Sequence, residues 1–147
     1  MKKHLFIFLL SALPFALLAQ APKKGPLDGK TFTVEITKEG KKKPINPSDE
    51  LKFAAGKFKS ACPDFIDWGF FAKPSFYTIT SIDSTNAAVK AYSWKAETIS
   101  DIKEVMTWEG TINGEDIEGS ADLVNAKGEK KYAYTFSGKL KGKPGKK

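Results

Sequence analysis

The chain has 147 residues, 41% hydrophobic and 28% charged, with a formal net charge of +7 and a pI near 9.4. That length holds one domain, and the apolar share is enough for a packed core rather than a disordered coil. With a single histidine and a single cysteine, the chain lacks the residues for a His/Cys zinc site or an internal disulfide.

The N-terminus changes both the charge and the histidine counts. Met1-Lys2-Lys3-His4 is a short basic start, followed by the apolar run Leu5 to Leu18. Such a run has the length of a signal-peptide core and falls short of the roughly 20 residues that a spanning helix needs. Small residues stand at Ala19 and Ala21. Cleavage after Ala21 would leave Pro22 first, a poor fit to an extended peptidase site. The expectation is therefore a signal peptide over 1–19 cut after Ala19, and a periplasmic or secreted protein with no stable membrane insertion. No cysteine lies beside the apolar run, so a lipid anchor is not indicated.

Export would remove His4, and with it the only imidazole for general-base, triad or metal-ligand work. It would also leave 22 lysines against 17 acids. All the basic residues are lysine. Between Gly25 and Gly138 there are 15 lysines and 17 acids, so the basic character belongs to the chain ends.

A Pro/Gly/Lys leader spans 20–26, and the expected barrel domain runs over 27–140. Thr31-Phe32-Thr33-Val34-Glu35-Ile36-Thr37 alternates apolar and polar, the signature of a half-buried strand. Lys38 to Glu50, with Gly40, Pro44 and Pro47, reads as a polar loop. Leu51-Lys52-Phe53 and Lys57-Phe58-Lys59 resume the alternation around Ala54-Ala55-Gly56, a bulge or turn. Ser60 to Pro74 breaks the rhythm: Cys62-Pro63-Asp64-Phe65-Ile66-Asp67-Trp68-Gly69-Phe70-Phe71 is too apolar for a solvated loop and too irregular for a strand. A short helical turn, or a lid over one end of a barrel, accounts for it.

Phe76 to Ile82 and Ala87 to Ala96 are again β-rich, divided by Asp83-Ser84-Thr85-Asn86. Lys90, Tyr92 and Trp94 share one face, which the lysine marks as polar or solvated. Met106, Trp108, Gly110 and Ile112 share a face of the next strand, and Asn113-Gly114 supplies a tight turn in which both residues tolerate positive φ. Ile117, Gly119, Ala121 and Leu123 line the return strand. Asn125-Ala126-Lys127-Gly128 turns the chain again, and Tyr132, Tyr134, Phe136, Gly138 and Leu140 line the last strand.

About seven to eight strands joined by short turns predict an all-β fold, a closed antiparallel up-and-down barrel or a sandwich. The meander favours the barrel. Glycines on its apparent inner face (Gly110, Gly119 and Gly138) suit strands that must coil to close.

Several of these residues together resemble a known group. They are Phe53, Phe58, Ser60 and Cys62, then Gly69-Phe70, Tyr77 and Ser93. In the second half they are Trp108-x-Gly110-x-Ile112-x-Gly114, Ile117-x-Gly119 and Tyr134-x-Phe136-x-Gly138-x-Leu140. The pattern is similar to uncharacterised small exported bacterial proteins with a lipocalin-like, calycin-type β-barrel. The resemblance implies such a barrel and carries no catalytic or cofactor motif. Where lipocalins carry Gly-x-Trp in the first strand, Gly29-Lys30-Thr31-Phe32 stands here.

Candidate chemistry is sparse. Cys62 has Asp64 and Asp67 for neighbours, which disfavour a thiolate, and no histidine to activate it. It reads as a packed thiol, with a redox-sensing role or a disulfide between two molecules as the alternatives. Asp64 with Asp67, or Glu115, Asp116 and Glu118, offer paired carboxylates of the kind glycosidases use. No catalytic residue and no metal or organic cofactor is assigned. The aromatic residues are the best lead. Trp68, Tyr77, Trp94, Trp108 and Tyr134 are the expected lining of an interior pocket for a small hydrophobic molecule. If they instead fill the barrel, the protein is a solid envelope or interaction protein. The lysine-rich tail over 141–147, with Lys139 before it, offers weak contact with anionic surfaces. The absence of arginine and the near-neutral body argue against nucleic acid.

Overall fold

The computed structural model describes residues 24–70 and 74–142. The expected signal peptide, its cleavage point after Ala19 and most of the lysine-rich tail lie outside the described residues.

Eight strands, β1 (Thr31–Lys38), β2 (Asn46–Ala54), β3 (Lys57–Ser60), β4 (Ser75–Asp83), β5 (Ala91–Ile99), β6 (Val105–Asn113), β7 (Asp116–Val124) and β8 (Lys130–Leu140), follow one another in space as in sequence. One helix, α1 (Pro63–Asp67), interrupts them after β3. Every neighbouring pair is antiparallel, and β8 returns to β1 through the register Phe32↔Leu140 to Lys38↔Tyr134. The fold is the closed up-and-down barrel that the meander predicted. Alternation sets its inside: Phe32, Val34 and Ile36 of β1, Trp108 and Ile112 of β6 and Ile117, Ala121 and Leu123 of β7 are all buried, while their neighbours face out.

Three local expectations differ from the structure. The polar loop ends sooner than its composition indicates, because β2 begins at Asn46 and pairs it with Ile36. Asp49 interrupts the apolar alternation there, yet it is buried, accepting hydrogen bonds from the Ser60 hydroxyl at 2.8 Å and the Glu50 amide at 2.7 Å. Burial holds its carboxyl above the usual range against those two bonds. The strand expected over 87–96 is instead Ala91–Ile99, so Lys90 lies before it and the Tyr92/Trp94 face points inward. The β6–β7 turn falls one residue later than expected. Asn113 is the last strand residue, paired with Asp116, and only Gly114 takes a left-handed φ, of 63°.

Both ends of the barrel are covered. At one end the turn before β1 lays Leu27 over the interior, fully buried. Asp28 fastens that turn by accepting bonds from the amides of Gly25 (2.7 Å) and Gly56 (2.9 Å) and from the Tyr77 hydroxyl (3.0 Å). At the other end lies α1, the short helical turn that is one of the two expectations for the irregular segment. Pro63 starts it, since a first-turn position needs no amide hydrogen. Its one buried residue, Phe65, points down into the barrel.

Candidate functional site

The five aromatic residues expected to line a pocket do not share one environment. Trp94, Trp108 and Tyr134 are each about 1% exposed, and Tyr77 is 9% exposed. Strand alternation places Trp94 on β5, Trp108 on β6 and Tyr134 on β8 with their side chains inward. They meet through three phenylalanines that are not among the five expected lining residues. Phe53 lies 4.9 Å from Trp94 and 5.3 Å from Tyr77 between ring centroids. Phe58 lies 5.0 Å from Trp94 and 5.1 Å from Trp108, and Phe65 lies 5.7 Å from Trp108 and 5.2 Å from Tyr134. These are contact distances for aromatic pairs, so each of these pairs packs ring against ring. The signal for Phe53 and Phe58 was present in the alternation of β2 and β3. Phe65 carried none, because a five-residue helix has no readable period.

Trp68 stands apart. It caps the C-terminal end of α1 and is 41% exposed, its ring 6.2 Å from Tyr132 and 6.4 Å from Tyr134. Tyr132 is itself exposed, with the Lys38 ammonium 3.3 Å from its ring centre.

Two polar atoms in this interior have no partner among the described residues: the Trp94 Nε1 and the Tyr134 hydroxyl. The Trp94 indole is laid against Gly110, where a Cβ would sit 3.0 Å from Nε1 and 2.7 Å from the Glu118 carbonyl oxygen. By contrast, Trp108 Nε1 donates to Thr98 Oγ1 at 3.2 Å. Burial, with Tyr132, Cys62 and Asp64 adding to it, pushes the Tyr134 phenol up to about 12.

Cys62 is fully buried and free. Burial pushes its thiol up to about 11, and the Asp49 and Asp64 carboxylates add to the rise. It is protonated at neutral pH and a weak nucleophile. The two carboxylate sets considered for catalysis lie on different elements: Asp64 and Asp67 both belong to α1, and Asp116 and Glu118 to β7. Asp64 sits in the first turn of α1, whereas Asp116 begins β7 and pairs with Lys139 at 2.5 Å. Among the described residues no three His, Cys, Asp or Glu side chains gather as a metal site, and no helix is long and apolar enough to cross a membrane.

A hollow of about 820 Å³ lies on the wall of the barrel, bordered by outward residues of β1, β4, β5, β6, β7 and β8. Its rim carries Glu35, Glu109 and Glu118 with serines and threonines, and Lys95 is held to Glu109 at 3.0 Å. Of the interior tryptophans and tyrosines expected to line a pocket, only Trp94 reaches it. Comparison with protein-family models, with curated proteins and with solved structures returned no match, so the residues themselves carry the functional reading.

Proposed function

We propose that this protein is an exported, non-catalytic β-barrel whose interior is structural and whose outer surface makes its contacts. The observation that carries this reading is the continuous ring contact linking Tyr77, Phe53, Trp94, Phe58, Trp108, Phe65 and Tyr134. Residues that would wall a ligand cavity touch one another instead. The missing imidazole beyond His4 and the protonated Cys62 support the non-catalytic part. The basic start and apolar run before Ala19 support export.

A small ligand at the α1 end is a second reading, and Tyr134 favours it. Its hydroxyl is buried without a partner, and the half-exposed rings of Trp68 and Tyr132 each lie 6.4 Å from its own. A molecule with one hydrogen-bonding group would reach that hydroxyl if α1 moved aside.

Native mass spectrometry of protein purified from its own periplasm or medium separates the two. The expected mass is that of the chain beginning at Gln20 with nothing retained. A small molecule retained one to one would overturn the solid-interior reading in favour of the second, and an intact N-terminus would overturn export.

A further inference from the structure

A sheet closed into a barrel normally leaves no strand edge free, yet one seam of this barrel closes over very little. β3 and β4 share two residue pairs, Lys57↔Phe76 and Phe58↔Ser75, plus a bond from the Tyr77 amide to the Gly56 carbonyl at 3.1 Å. The cause is the Ala55–Gly56 turn, with φ of 52° and 72°, which begins β3 at that level. β4 runs on past the turn from Thr78 to Asp83. There it is held by β5 on one side, and no strand pairs with the other side among the described residues. The free edge is about 20 Å long.

This edge carries none of the lysines or prolines that usually blunt one. It carries isoleucines. A bulge between Ile79 and Ser81 sets Ile79 opposite Trp94 and Ile82 opposite Tyr92. Those partners are two residues apart on β5, so both isoleucines lie on one face. Ile79 packs against the core, whereas Ile82 is 56% exposed.

We propose that two copies of the chain pair edge to edge through β4, antiparallel about a two-fold axis between Thr80 and Ser81. The register that uses the whole free edge sets Ile79 of each copy opposite Ile82 of the other, Thr80 opposite Ser81, and Thr78 opposite Asp83. Apolar meets apolar, and polar meets polar. Charge agrees as well. Asp83 of each copy arrives beside the Gly56–Lys57 corner of the other. Lys57 has no carboxylate partner and Asp83 no lysine partner among the described residues, so two new ion pairs form by symmetry. An identical strand is thus a self-complementary occupant, the isologous contact that most dimers use. The inference rests on reading the protein as acting through its surface, and names the partner that surface takes.

Sedimentation velocity of the wild-type protein over a wide concentration range tests it. The expected result is a reversible dimer, with slow amide exchange at Ile79 and Ile82 that quickens on dilution. Ile82→Lys alters an exposed side chain, so the fold and melting temperature hold while the dimer dissociation constant rises by about tenfold or more. Asp83→Lys and Lys57→Asp each weaken the dimer, and the double reversal restores it. A monomer at every concentration overturns the pairing. So does a dimer indifferent to all these changes, or a monomer whose Ile79 and Ile82 amides are already protected, which would make the chain's own N-terminal segment the occupant. None of these outcomes touches the packed-interior reading, which is tested by retained mass.

Discussion

Asp28 shows how much one residue organises at the end of the barrel away from α1. Burial alone would raise its carboxyl, but bonds from the Gly56 and Gly25 amides and the Tyr77 hydroxyl outweigh that and hold it below the usual range. The same contact, after burial, pushes the Tyr77 phenol up to about 12. An acid with a lowered folded-state pKa adds stability that is complete above its unfolded value near 3.8 and lost as pH falls through the folded one. Asp28→Asn keeps the shape but removes the charge and turns an amide toward the Gly25 donor. It should cost about 1 kcal/mol at neutral pH after allowing for solvent screening, and the cost should vanish in strong acid. Melting temperatures of both proteins from neutral pH to pH 2 check this; a gap that stays constant would remove Asp28 from the acid response. Asp49 has the opposite sign. Its carboxyl is raised, so its contribution improves as pH falls through the folded value.

At the scale of elements, α1 matters through one side chain. Five residues cannot sustain a helix alone, since nucleation is not repaid at that length. α1 persists because Phe65 is buried against Trp108 and Tyr134 and because the Phe70 amide bonds back to the Phe65 carbonyl at 2.9 Å. Phe65→Ala removes that anchor. Truncating a buried phenylalanine costs about 3–5 kcal/mol, and here the space left adjoins the Trp108 and Tyr134 rings. Thermal unfolding should show that loss, and Tyr134 and Trp108 should become accessible to an apolar fluorescent dye. A variant as stable and as closed as wild type would mean that α1 is held by something else. The element existed in the sequence only as a break in alternation. Its Phe65 could not be assigned to the barrel interior, because two residues from distant strands form its socket.

Over the whole molecule, the interior is one continuous cluster reaching from Leu27 at one end to Phe65 at the other. The β3–β4 seam is its thinnest wall. A single core shared by all eight strands predicts one cooperative unfolding transition. Tryptophan fluorescence, which reports the buried Trp94 and Trp108, and far-ultraviolet circular dichroism should give coincident denaturant curves. Separate midpoints would mean that β3 or α1 opens before the rest.

What the sequence determined by itself is the fold class and most of the inside. Alternation at period two assigns Phe32, Val34, Trp108, Ile117 and Tyr134 to one face without reference to any neighbour, and short turns leave the meander little choice of order. The tertiary structure alone decided three further things. It closed β8 on β1, turned the Trp94 face inward despite the nearby Lys90, and filled the space between the aromatics with Phe53, Phe58 and Phe65. The physical reason is that alternation specifies a side and not a depth. Whether an inward ring borders a cavity or touches another ring depends on side chains brought from the far wall of the barrel.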